Sequence, residues 1–112
     1  MDSVRNREEW EAKKSAEAPI CALFTADSCI DCRIIKPILP ELEEQYKGRL
    51  DFFKVDREEY PEIYQEESVN GIPSFIIFKG GKEIHRWVST LRKTRDEIEE
   101  FLDEGVRRSN ES

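Results

Sequence analysis

Apolar positions along the chain change period several times, and each change marks an element. Ile20-Cys21-Ala22-Leu23-Phe24 is an unbroken apolar run between the interruption Glu17-Ala18-Pro19 and the polar stretch Thr25 to Ser28, the pattern of a strand buried on both faces. From Cys29 onward Ile34, Ile35, Ile38, Leu39, Leu42 and Tyr46 recur at helical spacing until Gly48. Pro37 lies inside that pattern. A proline there removes an N–H and presses on the carbonyl one turn back, which predicts a kink near Arg33 to Lys36. Leu50 to Asp56 reads as a second strand and Tyr60 to Glu67 as a short acidic helix. Strand, helix and strand in that order form a βαβ unit, which requires a right-handed crossover and parallel pairing.

The remaining segments carry local signals. Asn6 with Glu9 resembles a capping box and predicts a surface helix over 7–16, with Val4 and Trp10 touching the core. Ser74 to Phe78 and Glu83 to Val88, joined through Gly80-Gly81, read as an antiparallel hairpin. Thr94 with Glu97 makes a second capping box, for a closing helix whose apolar stripe is Ile98, Phe101, Leu102 and Val106. Ser109 to Ser112 reads as a frayed polar tail.

Length and charge narrow the possibilities. The 112 residues suit a single domain, over 1–112, with one core of modest size. Charged residues make up 38% of the chain and the net charge is −7, which argues against binding nucleic acid or an anionic membrane through bulk electrostatics and suits a dispersed monomer. Residues 1–10 hold no apolar signal-peptide core and no apolar run is long enough to span a bilayer, so a cytoplasmic location is expected. The three cysteines do not form the framework of a secreted mini-protein and fit a reducing compartment.

The candidate chemistry is Cys29-Ile30-Asp31-Cys32, set between a strand and a helix. Two thiols at this spacing share one helix face. A helix start presents unpaired N–H groups and the positive end of the dipole, which favours an anion there, and the thiolate is the reactive form. Cys29 is therefore the expected nucleophile, and Cys32, one turn further in, the resolving partner that closes a disulfide. Arg33 and Lys36 are either offsets to nearby negative charge or ordinary solvated helix residues. Cys21 reads as a small buried hydrophobe. A zinc site built from Cys29, Cys32, Cys21 and His85 would need four ligands to converge from separate elements, so no metal is expected, and His85 reads as a surface strand residue.

Taken together, the strand, the Cys-x-x-Cys at a helix start, Pro37 five residues after the second cysteine, Val55-Asp56 ending a later strand, Gly71-Ile72-Pro73 before a glycine-turn hairpin, and the amphipathic last helix resemble the thioredoxin family from about Trp10 to Leu102. The resemblance implies an α/β thioredoxin-like fold, a central mixed sheet, mostly parallel and flanked by helices on both faces. It implies a thiol:disulfide oxidoreductase with no cofactor, acting on disulfide-containing proteins and re-reduced by a reductase or other electron donor. By the same resemblance Pro73 is a cis-proline beside the cysteines, and Ile72 supplies backbone that binds the substrate's extended segment.

The chain departs from the family at several points. The usual Trp-Cys-Gly-Pro-Cys is Ser28-Cys29-Ile30-Asp31-Cys32, and a further tryptophan is replaced by Thr25. The family's buried aspartate falls at Leu23 and its lysine neighbour at Phe52, which removes the obvious general base. Asp27 and Asp31 are expected to be exposed, with Asp31 disfavouring ionisation of either sulfur. Ser89 and Thr90 stand where the family tends to place a glycine, implying a narrower or different docking groove. Loss of the buried acid predicts slow turnover. It also favours the alternative, a non-catalytic binding module using the Ile72–Pro73 groove.

Overall fold

The computed structural model describes residues 1–111. Its elements in chain order are β1 (Asp2–Ser3), α1 (Arg7–Lys14), β2 (Ile20–Thr25), α2 (Ile30–Ile35), a 3₁₀ turn (Lys36–Ile38), α3 (Leu39–Gln45), β3 (Asp51–Asp56), α4 (Pro61–Glu66), β4 (Ser74–Lys79), β5 (Lys82–Trp87) and α5 (Arg95–Glu111). The five strands form one sheet in the order β1-β3-β2-β4-β5. β3 lies parallel to both β1 and β2, while β2 pairs antiparallel with β4, and β4 with β5. The sheet is mixed as expected but not mostly parallel: its antiparallel half begins at β2–β4, not at the hairpin.

β2 has neighbours on both edges and helices on both faces, which is why its residues are apolar without alternation. Cys21 and Leu23 face one layer, with Ile35, Leu39 and Leu42 of α2 and α3 and Ile98, Phe101 and Leu102 of α5. Ala22 and Phe24 face the other, with Trp10 of α1 and Ile63 and Tyr64 of α4. α1 is held by a single fully buried ring: Trp10 packs 5.7 to 6.0 Å from Phe24, Phe53 and Phe78. Among the described residues no helix is long and apolar enough to cross a membrane.

Local signals hold in most places. Asn6 accepts from the Glu9 N–H at 2.8 Å, but the return arm of that box goes to the backbone N–H of Arg5, not of Asn6. At Thr94 and Glu97 the box is reciprocal, at 3.2 and 3.0 Å. Pro37 splits the long helical pattern into α2, the 3₁₀ turn and α3. Ile34 is 48% exposed because it sits about 100° round the helix from Ile35, off the face that Ile35, Leu39 and Leu42 bury. The expected frayed tail from Ser109 is also corrected: α5 runs to Glu111, Ser109 is buried, and its carbonyl accepts from Lys79 at 2.7 Å. Ser112 lies outside the described residues.

α5 meets the sheet at Gly105, where an added Cβ would collide with Ile77 Cδ1. Ile77 is fully buried and has no free volume to move into. Gly105→Val should therefore lower the urea midpoint by the equivalent of about 1–3 kcal/mol, the usual cost of overpacking. Asn110→Val on the exposed face of the same helix should change it by no more than about 0.5 kcal/mol.

Candidate functional site

The antiparallel register of β2 on β4 places Phe24 opposite Ser74, and that of β4 on β5 places Phe75 opposite Trp87. The end of β2, the start of β4 and the end of β5 thus lie at one edge of the sheet. The Cys-x-x-Cys, Pro73 and the segment 88–94 are delivered there together.

Cys29 is the N-cap of α2. Its backbone is extended (φ −88°, ψ 119°), its N–H donates to the Ala26 carbonyl at 3.1 Å, and its sulfur accepts from the Cys32 N–H at 3.2 Å. The sulfur thus satisfies one of the donors a helix start leaves unpaired. The same sulfur lies 3.9 Å from the Ile72 carbonyl oxygen. Cys29 is half-buried, Cys32 only 5% exposed, and Cys21 inaccessible; all three are free thiols. Burial pushes the Cys32 thiol up to about 11, and its hydrogen bond to Cys29 adds to this, while bonds from Thr25 and the Ala26 backbone oppose it. Burial alone pushes Cys21 up as well. Leu23 is fully buried, in the core layer with Ile35 and Phe75, so no carboxylate occupies its position.

The Ile72–Pro73 peptide is cis, and Pro73 is buried. The buried Ser74 hydroxyl donates to the Gly71 carbonyl at 2.5 Å and accepts from the Ser89 N–H at 3.4 Å, joining the proline loop to the segment after β5. A Cβ on Gly71 would lie 2.7 Å from the Ser89 carbonyl oxygen. Gly71 thus lets the proline loop come close to the segment after β5, a contact within the protein and not the substrate approach that a glycine at Ser89 or Thr90 would open.

Three further residues join the site. Arg92 Nε donates to Asp31 Oδ1 at 3.0 Å, so Asp31 is half-buried and paired instead of exposed, and its charge at the motif is matched. Lys93 is 3% exposed and donates to the Ser89 and Leu91 carbonyls at 3.2 and 3.1 Å. Arg33 donates to the Asp27 carbonyl at 2.7 Å, bracing the loop before the motif. Arg92 and Lys93 carry no sequence signal, since Leu91-Arg92-Lys93 reads only as the polar approach to a helix cap. Ile30 and Leu91, 68% and 74% exposed, leave apolar surface beside the sulfur.

His85 is not a free surface residue. It is half-buried and stacks on Phe101 with ring centroids 4.4 Å apart, and burial pulls its pKa down. Among the described residues no three or more His, Cys, Asp or Glu side chains are grouped to hold a metal. A surface concavity between β5 and α5 is lined by His85, Trp87, Phe101 and Glu104 among others and includes neither sulfur. The reactive groups lie instead around Cys29, where a smaller concavity reaches Gly71 and Ile72.

The comparisons agree with this fold. The thioredoxin family model matches residues 3–104. Thioredoxin 1 of Nostoc is 32% identical over 79 residues, spanning 70% of this chain and 74% of its own length. The chloroplastic thioredoxin Y of Oryza sativa is 35% identical over 81 residues, spanning 72% of this chain, which covers 48% of that protein. The solved thioredoxin of Plasmodium falciparum superposes with a TM-score of 0.82 at 21% identity, over 92% of this chain and 97% of its own.

Backbone cannot retreat as a side-chain tip can, so Gly71→Ala should cost about 1–3 kcal/mol in urea unfolding. Arg92→Ala, which removes a solvent-exposed ion pair, should cost less than about 1 kcal/mol. Equal midpoints for the parent and Gly71→Ala would contradict the close approach.

Proposed function

We propose that this chain, which belongs to the thioredoxin family, is a thiol:disulfide oxidoreductase that reduces protein disulfides through Cys29 as nucleophile and Cys32 as resolving thiol. The observation that carries the reading is the asymmetry of the pair: Cys29, half-buried, caps α2 with its sulfur, which accepts from the Cys32 backbone N–H at 3.2 Å, and Cys32, a single turn behind it, is buried. Cys29 thiolate attacks one sulfur of the substrate disulfide, forming a mixed disulfide and releasing the other sulfur as a thiolate, which takes up a proton. Cys32 thiolate then attacks the Cys29 sulfur, the Cys29–Cys32 bond forms, and the second substrate sulfur leaves. The substrate gains two electrons, and a reductase or other donor returns them to the protein. Such a cycle requires a reducing compartment, the cytoplasm in this reading.

Ile72 and Pro73 are the substrate-binding residues in this proposal. The Ile72 carbonyl lies beside the nucleophile, so an extended segment running along Ile72 carries its disulfide to Cys29. Slow turnover follows from Cys32. A thiol held near 11 is almost wholly protonated at neutral pH, and below that value its thiolate fraction rises roughly tenfold per pH unit.

Sub-stoichiometric alkylation of the reduced protein should label Cys29 before Cys32 or Cys21, as read by mass mapping. Reduction of a protein disulfide should vanish in Cys29→Ser, and Cys32→Ser should trap the mixed disulfide. A folded, reduced parent that turns over no disulfide would leave the binding-module reading in its place.

Release from the mixed disulfide should keep accelerating from pH 7 to 9. Leu23→Asp, if it remains folded by circular dichroism, should release faster at pH 7. No gain in a folded Leu23→Asp would remove the missing carboxylate as the cause of slow release.

A further inference from the structure

β5 is the last strand of the sheet, so its outer edge pairs with no other strand among the described residues. An edge of that kind is open to an added segment unless something covers it. Beside it runs the concavity between β5 and α5, with a volume of about 910 Å³. That size falls at the upper end of ligand sites and exceeds what a single ion or one side chain fills. Half-buried His85 and Trp87 line it from the strand and Phe101 from the helix, and the Phe101 ring centroid lies 4.4 Å from that of His85 and 5.8 Å from that of Trp87. The bottom of the groove is therefore aromatic.

Its wall is acidic. Six of the lining residues are carboxylates and two are arginines. Both arginines are already engaged, Arg86 with Glu83 and Arg107 with Glu104 and Glu111. Burial lowers the pKa of His85, so the imidazole adds no positive charge at neutral pH. Asp96, Glu100 and Glu104 repeat at intervals of four along α5, a spacing at which like charges destabilise a helix. The positive end of the helix favours Asp96, in the first turn, and Arg107 and Arg108 match Glu104. Glu100 lies beyond the first turn, and neither its carboxylate nor that of Asp96 has a hydrogen bond or ion pair among the described residues.

We propose that this groove is a docking site for a basic segment of a partner protein, laid extended along β5 with its lysine or arginine stems on the aromatic residues and its charged tips on Asp96 and Glu100. Long cationic side chains join an apolar stem to a charged tip, the combination that an aromatic bottom and an acidic wall complement. A second copy of this chain would set the same acidic wall against itself, and an anionic ligand meets the same repulsion. The groove includes neither sulfur, so docking there does not depend on the dithiol chemistry.

Trp87 supplies the reporter, because the other tryptophan, Trp10, is fully buried on the opposite face of the sheet. The full chain is titrated with the peptide acetyl-Lys-Val-Lys-Val-Lys-amide and followed by tryptophan emission and backbone amide resonances. Emission should change and the shifted amides should fall on β5 and α5, whereas the same peptide with glutamate in place of lysine should alter neither. Glu100→Lys should weaken binding roughly five- to tenfold, with Glu100→Gln between it and the parent. Glu62→Lys, the same charge change at an exposed position of α4 across the sheet, should weaken it less than about twofold. No shift with the lysine peptide, an equal response to both peptides, or shifts centred on Cys29 would overturn the proposal. Equal losses in Glu100→Lys and Glu62→Lys would do so as well, since bulk charge alone would then account for the binding. Self-association of the chain through β5 would put a second copy in the groove and overturn it too.

Discussion

The antiparallel pairing of β2 with β4 is the constraint on which the site depends. With Phe24 opposite Ser74, the chain leaving β2 and the chain entering β4 meet at one sheet edge, and β5 brings a third segment to the same place. A slip of one residue would turn Leu23 and Phe24 to the wrong helix layers, exchanging a buried leucine for a buried phenylalanine against α2 and α5. Core packing on both faces of β2 therefore fixes the register, and the register fixes the distance from Cys29 to the Ile72 carbonyl.

What the core fixes in geometry it also sets in electrostatics. The layer that holds Leu23, Ile35 and Phe75 is wholly apolar, and Cys32 stands at its edge. Burial there works against the thiolate, and no carboxylate lies within the layer to take its proton. The groups that oppose burial come from outside the layer: Thr25 and the Ala26 backbone, at the end of β2. At the rim Asp31 pairs with Arg92 at 3.0 Å, so its charge beside the motif is matched locally.

Most of the fold was legible because its signals are local. The apolar run of β2, the glycine turn of the hairpin and the reciprocal Thr94–Glu97 cap each appear within a few residues. β1 was not legible: Asp2 and Ser3 are exposed and carry no apolar pattern, and their strand exists only through backbone pairing with Phe53 and Lys54. Ile34 was misassigned because it lies roughly 100° from Ile35, outside the single face on which Ile35, Leu39, Leu42 and Tyr46 are buried. At the site, the cysteines and the Ile72–Pro73 segment were readable as a motif. Arg92 and Lys93 were not, since the burial of a lysine and the partner of an arginine are set by packing between elements far apart in sequence. Asp31 was misjudged for the same reason.

The acidity of the chain gains a role when set beside the exposed apolar residues. Ile30, Ile34 and Leu91 leave apolar surface around an accessible thiol, a combination that invites two copies of the chain to meet and form a mixed disulfide with each other. A net charge of −7 opposes that encounter at long range. Screening confines the repulsion to about 8–10 Å at ordinary ionic strength. A substrate segment docked at Ile72 is therefore governed by the local groups, among them the Arg92–Asp31 pair and Glu58, whose carboxylate accepts from the Ser28 hydroxyl at 2.8 Å. The bulk charge acts on approach and the local groups act on contact.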